Sequence, residues 1–307
     1  MRARVTSARG TPHSNARRMS GVALVTGATD GIGRHTARRL AAAGRGVVAH
    51  GRRAEAVRET VRELEALAGG RCVVRGVVRD LSDADGARAL VDEVLTIANA
   101  SGGCSALFNN AGVFMRTLER DGRGMEMTWS VNVRAPYELT AALLPELVAT
   151  AKRSGVKSSI LNVASISASP RIDFENMNAE KMFSAHGSYS LSKACMKAYS
   201  YELFDRLVAG KLCGGEATVD NLNVFSCDPG TVNTKMLKAG WGMCGIDVAE
   251  ANDEFDIMVT DFERNSRLHN GCYFVDASPM SRSSVPGDAD QARLWSLLEN
   301  ETGVVYC

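Results

Sequence analysis

Short apolar runs rich in β-branched residues alternate along this chain with longer stretches of helical periodicity. Parallel strands joined by helices produce this pattern, because each strand is buried on both faces of the sheet. No internal repeat or long linker interrupts the alternation. The sequence therefore predicts one doubly wound α/β domain, whose mostly parallel sheet has seven strands flanked by helices, at 22–26, 47–50, 72–78, 106–110, 159–163, 219–226 and 272–276.

A glycine-rich loop, TGATDGIG at 26–33, follows the first predicted strand and precedes a helical stretch. Glycines permit a tight turn there and let backbone N–H groups approach a pyrophosphate, to which the helix N-terminus adds partial positive charge. Glycines also close ordinary turns, so the interpretation depends on the position between strand and helix. We expect a Rossmann-type dinucleotide site, with the loop contacting the cofactor through Gly27, Thr29, Asp30, Gly31, Ile32, Gly33 and Arg34.

The end of the second predicted strand indicates which dinucleotide is bound. An NAD site usually has a carboxylate there for the ribose hydroxyls, whereas this chain has His50-Gly51-Arg52-Arg53. A 2′-phosphate is repelled by a carboxylate and paired by a guanidinium group. Arg52, with Arg34 just after the glycine loop, therefore favours NADP(H) over NAD(H). The alternative is that Arg52 and Arg53 are solvated residues at the start of the next helix.

The bulk composition excludes several classes of protein. The 307 residues are 45% hydrophobic and 23% charged, with a formal net charge of +1, which is typical of a soluble globular chain. This balance gives no argument for a nucleic-acid partner or an acidic membrane. No run is long and apolar enough for a transmembrane segment. The eight cysteines form neither a CxxC motif nor a cluster with metal-ligand spacing, so we expect no bound metal and a reducing compartment.

The basic residues are unevenly distributed, since the first twenty residues contain five arginines and no acidic residue. This composition is found in disordered leaders and in mitochondrial presequences. We expect a cytoplasmic protein, with mitochondrial import as the alternative. We divide the chain into a disordered leader (1–19), a dinucleotide-binding domain (20–280) and a loosely attached C-terminal tail (281–307), in which one amphipathic turn at 292–299 docks.

Further motifs follow the glycine loop in a fixed order. They are Asp80-Leu81, NNAG at 109–112, Asn132, Ser165 in LNVAS, YSLSK at 189–193, and DPGTVNTKM at 228–236. Over roughly residues 20–276 the chain resembles the short-chain dehydrogenase/reductase family, in its G-x-x-x-G-x-G subtype.

A narrower likeness concerns the segment before YSLSK, together with HNGCYFVDASP and ARLWSLLENETG. These segments resemble the retinol dehydrogenase-like branch, whose members handle retinoids, other lipophilic aldehydes and alcohols, or related carbonyls, and which implies a preference for NADP(H). Membrane-bound members of that branch have an apolar N-terminal anchor, and this chain has the arginine-rich leader instead.

The resemblance implies roles for four catalytic residues. Tyr189 would be the general acid/base. Lys193, one helical turn later, would lower the pKa of Tyr189 and bind the nicotinamide ribose. Ser165 would hydrogen-bond the substrate oxygen, and Asn132 would hold a water that connects Lys193 to solvent.

The resemblance also implies the remaining cofactor contacts. Asp80 and Leu81 would hold the adenine ring, the adenosine side would be lined by Asn110, Ala111 and Gly112, and the nicotinamide carboxamide would be seated by Pro229, Gly230, Thr231, Val232 and Thr234. The glycine-punctuated, apolar sequence that begins at 235 predicts a flexible lid over 235–260 that selects the substrate, mainly through Met236, Leu237, Trp241 and Met243, with Phe114, Met115, Ile166 and Ile172 as weaker candidates. The alternative is that this segment only packs on the domain.

We therefore expect an NADP(H)-dependent oxidoreductase that interconverts a lipophilic alcohol with an aldehyde or ketone, working as a reductase. One alternative is a dinucleotide-sensing regulatory protein without turnover, and the presence of all four catalytic residues argues against it. Another is an epimerase or dehydratase acting on sugar nucleotides, which usually has a different glycine spacing and a larger C-terminal domain. Helices at 128–149 and 188–212 could pair subunits into a homo-oligomer, and a monomer is the alternative.

Overall fold

The computed structural model describes residues 21–282 and 286–306, so the predicted leader lies outside the described residues. A single sheet runs through the domain with the strand order β3-β2-β1-β4-β5-β6-β7-β8, and all neighbouring strands are parallel except β7 and β8. The order reverses between β1 and β4, as in a doubly wound Rossmann-type fold. The strands are β1 Val22–Val25, β2 Gly46–Gly51, β3 Val74–Val78, β4 Cys104–Asn109, β5 Ser158–Val163, β6 Leu222–Asp228, β7 Tyr273–Val275 and β8 Ser278–Met280.

Helices follow most of the strands. The α-helices are α1 Gly31–Ala42, α2 Ala54–Ala68, α3 Gly86–Asn99, α4 Met127–Trp129, α5 Ala135–Ser154, α6 Ala185–Val208, α7 Lys235–Gly240, α8 Asp253–Phe255, α9 Phe262–Leu268 and α10 Asp288–Thr302. Short π-helical turns, Ser130–Arg134 and Asp256–Thr260, continue α4 and α8, and 3₁₀ turns occupy Cys213–Gly215 and Val248–Glu250. Within these residues no helix is both long and apolar enough to cross a membrane.

The core lies on both faces of the sheet, as the near-continuous apolar strands predict. Along β1, Val22 and Leu24 pack with α3, α5 and α6, whereas Ala23 and Val25 pack with α1 and α2. This division follows from the two-residue side-chain period of a strand. The carboxyl ends of the central strands are thereby fixed between two helical layers.

Among the described residues the sheet has eight strands, so the prediction of seven was wrong by one. The run expected at 272–276 forms β7 and then turns back into β8, a pairing that sequence analysis missed. Asp276 and Ala277 both have positive φ, at 49° and 52°, which is the geometry of a two-residue hairpin turn. Asp-Ala lacks the glycine that usually marks such a turn, so nothing in the sequence indicated a hairpin here.

The C-terminal residues are part of the core, in contrast to the loosely attached tail that we predicted. The expected turn at 292–299 is the centre of the full helix α10, whose Leu294, Trp295 and Leu298 are buried. Trp295 contacts the rings of Tyr137 on α5 and Tyr199 on α6. The apolar side of α10 is buried because it covers these two helices.

The second half of the predicted lid is also core. Phe255, Ile257 and Met258 are buried in the same cluster as α1, and the Thr36 hydroxyl of α1 donates to the Glu254 carboxylate at 2.9 Å. Residues 251–260 therefore pack behind the glycine loop. Only the first part of the predicted lid, up to Cys244, reaches the cavity described below.

Candidate active site

A large cavity of about 1040 Å³ opens at the carboxyl ends of the central strands. Ligands bind at this edge in open parallel sheets. Every residue predicted to bind the cofactor lines the cavity except Arg34, and three of the four predicted catalytic residues, Ser165, Tyr189 and Lys193, line it as well. Motifs that are far apart in the sequence therefore meet in one cleft.

The glycine loop has the shape of a phosphate cradle. Gly27 has a φ of +68°, and Asp30 begins α1 by accepting a hydrogen bond from the Gly31 N–H at 2.9 Å. A Cβ atom on Gly33 would lie 2.2 Å from the Asn110 amide nitrogen and 2.7 Å from the Gly27 carbonyl oxygen. Only glycine fits at this position, which leaves the helix N-terminus open to a phosphate group.

Hydrogen bonds of Thr26 connect the loop after β4 to the glycine loop. The Thr26 hydroxyl donates to the Phe108 carbonyl oxygen at 3.0 Å and accepts from the N–H groups of Asn110 and Ala111 at 3.0 and 2.9 Å. The Asn110 amide also donates to the Thr26 carbonyl at 2.8 Å. These bonds explain why the NNAG motif lies against the first turn.

Positive charge surrounds the end of the cavity near β2 and β3. Arg52, Arg53 and Arg79 all line the cavity there. Arg34 does not, because its guanidinium group is paired with Glu63 of α2 at 2.7 Å. The structure thus gives Arg34 a partner that the sequence could not indicate.

Buried His50 supports the same end of the cavity and was missed as a site residue. Its Nδ1 accepts from the Gly27 N–H at 3.3 Å, and its Nε2 donates to the Arg79 carbonyl oxygen at 3.0 Å. Burial lowers the pKa of His50 to about 4, so the ring is neutral and connects the glycine loop to the end of β3. Its place at the end of β2 was the available sequence signal.

Tyr189, Ser165 and Lys193 form the chemical centre of the cleft. Tyr189 and Lys193 are one turn apart on α6, and Ser165 follows β5. The Ser165 hydroxyl lies beside the Tyr189 phenol and lowers its pKa. The Lys193 ammonium group lies 5.6 Å from the Tyr189 ring centroid and donates to the Val163 carbonyl oxygen at 2.8 Å.

The pKa values of these groups shift toward the uncharged forms. Burial, with the nearby Asp228 carboxylate, raises the pKa of Tyr189 to about 12, against a lowering effect of the Ser165 hydroxyl. Burial lowers the pKa of Lys193 to about 8, and the neighbouring acidic groups only partly oppose it. Burial therefore outweighs any lowering of the Tyr189 pKa by Lys193 in this chain.

Asn132 lies beneath the cleft and does not line it. Its amide donates to the Val113 carbonyl oxygen and to the Ser192 hydroxyl, both at 3.0 Å, and its carbonyl accepts from the Val113 N–H at 2.8 Å. Asn132 therefore joins the loop after β4 to α6, the helix that carries Tyr189. The water-holding role that the resemblance implies for Asn132 stays a prediction.

Asp228 is a second residue that the sequence analysis did not single out. Its buried carboxylate, at the end of β6, accepts from the N–H groups of Ile166 and Gly230 and so fixes the turns after β5 and β6. Asp228 is part of the DPG motif, but the role of its carboxylate can be recognised only when β5 and β6 are known to be neighbours.

The lid helix α7 supplies the apolar side of the cleft. Met236, Leu237 and Trp241 line the cavity, as does Met115 from the loop after β4. Three predicted selectivity residues do not line the cavity: Ile172 is buried elsewhere, Met243 is 69% exposed, and Phe114 packs against the rings of Tyr189 and Trp241.

Comparison with known proteins agrees with this geometry. The model of the short chain dehydrogenase family matches residues 21–242. Retinol dehydrogenase 11 of Mus musculus is 31% identical over 226 residues, which cover 73% of this chain and 66% of that relative. Polyprenol dehydrogenase of Mus musculus is 29% identical over 226 residues, covering 72% of this chain and 62% of that relative. The chain thus matches less than two-thirds of the length of either relative.

The fold has solved counterparts. The NADPH-bound carbonyl reductase from chicken fatty liver superposes with a TM-score of 0.60 at 22% identity, over 86% of this chain and all of that chain. At that identity the likeness concerns the fold alone. The family match, the relatives and the motifs gathered in the cleft lead to one conclusion: the chain belongs to the short-chain dehydrogenase/reductase family of oxidoreductases, in its retinol dehydrogenase-like branch.

Proposed function

We propose that this protein reduces a lipophilic aldehyde or ketone to the alcohol with NADPH, using Tyr189 as the proton donor. The observation that carries the proposal is the contact of the Tyr189 phenol with the Ser165 hydroxyl, beside the buried Lys193, in a cleft that ends at a phosphate cradle. A proton donor, an oxygen-binding hydroxyl and a dinucleotide site are the parts that hydride transfer to a carbonyl requires.

The cradle fits a dinucleotide diphosphate, because a side chain at Gly33 would fill it. Arg52 and Arg53 favour NADP(H), since they would pair with a 2′-phosphate, whereas Arg79 is already paired with Glu93 of α3. When bound, NADPH supplies the hydride to the carbonyl carbon and leaves as NADP⁺. Asn110 and Gly112 from one wall, and Gly230 and Thr231 from the other, would hold the cofactor in the cleft.

The chain's own residues would manage the proton. A phenol whose pKa is about 12 is protonated at neutral pH, which is the form that donates to the oxygen of a carbonyl under reduction. Ser165 would hydrogen-bond the same oxygen and stabilise the charge that develops there. Lys193, whose pKa is about 8, carries positive charge at neutral pH and so favours the phenolate that remains.

The apolar lining supports a lipophilic substrate. Met115, Met236, Leu237 and Trp241 face the cavity near Tyr189, and such side chains adapt to hydrophobic ligands. The names of the relatives, retinol dehydrogenase and polyprenol dehydrogenase, point to the same class of molecule.

The cofactor part of the proposal is tested by comparing NADPH with NADH on a panel of aldehydes and ketones. Loss of one charge-assisted contact in Arg52→Ala should weaken the preference for NADPH by about 10-fold, from roughly 1.5 kcal/mol per contact. The matched control is Arg58→Ala, because Arg58 lies on the adjoining helix α2 and pairs with Glu55 outside the cleft. Preference of the wild type for NADH would overturn the role given to Arg52. Cofactor binding without any turnover would favour the regulatory alternative.

A further inference from the structure

Two aromatic side chains pack against the ring of Tyr189, and a third packs against both of them. Phe114 and Trp241 have ring centroids 5.8 and 5.4 Å from that of Tyr189, in edge-on arrangements. His186 joins the other two, with centroids 5.1 Å from Phe114 and 5.0 Å from Trp241. These three residues, which we term the aromatic wall, come from the loop after β4, from α6 and from the end of the lid helix α7.

Polar contacts to the end of α7 hold the wall in place. The Arg116 guanidinium group donates to the Ala239 carbonyl oxygen at 3.2 and 3.0 Å. The His186 Nε2 lies 3.0 Å from the Gly240 carbonyl oxygen, and since a carbonyl only accepts, that nitrogen carries the proton. Both bonds satisfy carbonyl groups that a helix end leaves free.

The fit at this point is tight. A Cβ atom on Gly240 would lie 3.2 Å from the Phe114 ring. Tyr189 is only 8% exposed, so the wall and its neighbours already cover the ring. One flank of the proton donor is therefore closed by rigid rings that are fastened to the backbone of the lid.

The flank beside Ser165 is different. Ile166, the next residue along the chain, is 64% exposed although it lines the cavity. A carbonyl bound through Tyr189 and Ser165 thus has a closed side at the wall and an open, apolar side at Ile166.

We propose, on the basis of the carbonyl reduction proposed above, that the aromatic wall is the specificity determinant that restricts one substituent of the carbonyl. The substrates it fits are aldehydes and methyl ketones, with the bulk of the molecule on the Ile166 side. Trp241, which lines the cavity, limits the small side directly, and Phe114, His186 and Arg116 are positioning residues that act through it.

The experiment compares kcat/KM, with NADPH, for benzaldehyde, acetophenone and isobutyrophenone, whose second substituents are hydrogen, methyl and isopropyl. A pocket wall that rejects added methyl groups discriminates by about 10- to 200-fold for each. We expect the wild type to favour acetophenone over isobutyrophenone by about 100-fold on that basis. Trp241→Ala should reduce this ratio at least 10-fold, whereas Trp241→Phe should keep it.

The ratio of kcat/KM for acetophenone to that for isobutyrophenone also tests the positioning residues. His186→Ala should lower it, and His186→Gln, which retains an N–H donor for the Gly240 carbonyl oxygen, should restore it. Leu268→Ala, at an exposed residue on α9 away from the cleft, is the control that should leave it unchanged. A merely unstable variant would lose activity on all three compounds equally and leave the ratio unaffected.

The outcomes separate the two proposals. Turnover of these carbonyls with a ratio that neither Trp241→Ala nor His186→Ala changes would overturn the role of the wall and leave the proposed function standing. A wild type whose kcat/KM for isobutyrophenone equals that for acetophenone would also overturn the role of the wall and leave the proposed function standing. No reduction of any aldehyde or ketone by the wild type would overturn the proposed function itself.

Discussion

Tyr189 and Lys193 are adjacent on one face of α6, yet burial acts on their pKa values in opposite directions. It raises the pKa of the phenol to about 12 and lowers that of the amine to about 8. Both shifts favour the uncharged side chain, as expected for groups removed from water. The phenol that we propose as proton donor is consequently held in its protonated form, and the charge of Lys193 beside it is lost first as the pH rises.

This difference predicts the pH dependence of reduction. Lys193 is charged below its pKa, so kcat/KM should be constant below about pH 7 and fall as the pH rises through about 8. The measurement is kcat/KM with NADPH between pH 6 and pH 10, with circular dichroism at each pH to show that the fold is retained. A profile that stays level to pH 10 would contradict the role of the Lys193 charge.

Gly33 provides a second prediction at this scale. The Cβ of Gly33→Ala would collide with the Asn110 amide and the Gly27 carbonyl, so the cradle must open. We expect the Kd for NADPH to rise by about 10-fold or more, the equivalent of roughly one or two lost hydrogen bonds. Gly122→Ala is the matched control, because nothing lies within 4 Å of a Cβ there. Equal affinity of both variants, measured by titration calorimetry, would show that Gly33 does not shape the cradle.

Most of the cofactor-binding motif residues could be predicted because they follow the carboxyl ends of strands, and these ends meet at one edge of the sheet. Asn132, Tyr189 and Lys193 lie within helical segments and were assigned from the family resemblance. Arg34 could not, because its position is decided by Glu63, which is 29 residues away and reaches it only through the packing of α1 on α2. His50 and Asp228 likewise depend on which strands become neighbours. Spacing along the chain identifies candidate residues, and tertiary contacts decide their roles.

At the scale of elements, α8 and α1 are joined through a buried acid. The Glu254 carboxylate accepts from Thr36 with one oxygen, and its other oxygen has no hydrogen-bond partner among the described residues. Burial raises the pKa of Glu254 to about 7, against lowering effects of Thr36 and Lys193. The folded chain therefore holds a proton there that an unfolded chain has already released.

The stability that this proton gives is present below the pKa of an unfolded glutamate and is lost as the pH rises through about 7. The raised pKa corresponds to about 3 kcal/mol. Glu254→Gln should remove this loss, so that the variant is more stable than the wild type at pH 8 by about 2–3 kcal/mol, with a smaller difference at pH 5.

Urea unfolding at pH 5 and pH 8 provides the measurement for this acid. Glu263→Gln, on exposed α9, is the control and should follow the wild type at both pH values. A difference between Glu254→Gln and the wild type that is the same at pH 5 and pH 8 would show that Glu254 does not titrate in this range.

The elements themselves were predicted well where an apolar run has a clear period, as in the first six strands. The prediction was wrong at β8, whose turn lacks glycine, and at 251–260, which was assigned to the lid. That segment follows a glycine-punctuated stretch, and its burial becomes evident only from the contact of Phe255 and Met258 with the α1 side of the sheet. The position of a short element that lacks hydrophobic periodicity is determined by the elements that pack against it.

At the scale of the whole molecule, α10 closes the side of the domain formed by α5 and α6. Trp295 stacks on Tyr199, and the Tyr306 hydroxyl donates to the Tyr137 carbonyl oxygen at 2.9 Å. The faces covered in this way belong to the two helices that the sequence analysis considered for subunit pairing. The chain's own C-terminal helix occupies them here.

Because α10 belongs to the core, disrupting its packing should lower the free energy of unfolding. Trp295→Ala deletes a side chain that is 1% exposed, and such a change lowers the free energy of unfolding by about 3–5 kcal/mol. Ser296→Ala, at the next residue on the exposed side of the same helix, should cost less than about 0.5 kcal/mol. Denaturant unfolding of both variants measures the difference, and equal stability would mean that the C-terminal segment is the loose tail first predicted.

Proton transfer from Tyr189 is tested most directly by the rate of NADPH oxidation with an aldehyde substrate in the wild type and in Tyr189→Phe. We predict that kcat falls by about 100-fold or more in the variant while the Kd for NADPH is unchanged, since only the proton donor is removed. Tyr273→Phe is the matched control, because it deletes a buried hydroxyl that has no hydrogen-bond partner among the described residues and lies outside the cavity lining. Turnover by Tyr189→Phe comparable to that of the wild type would contradict the assignment of Tyr189 as the proton donor.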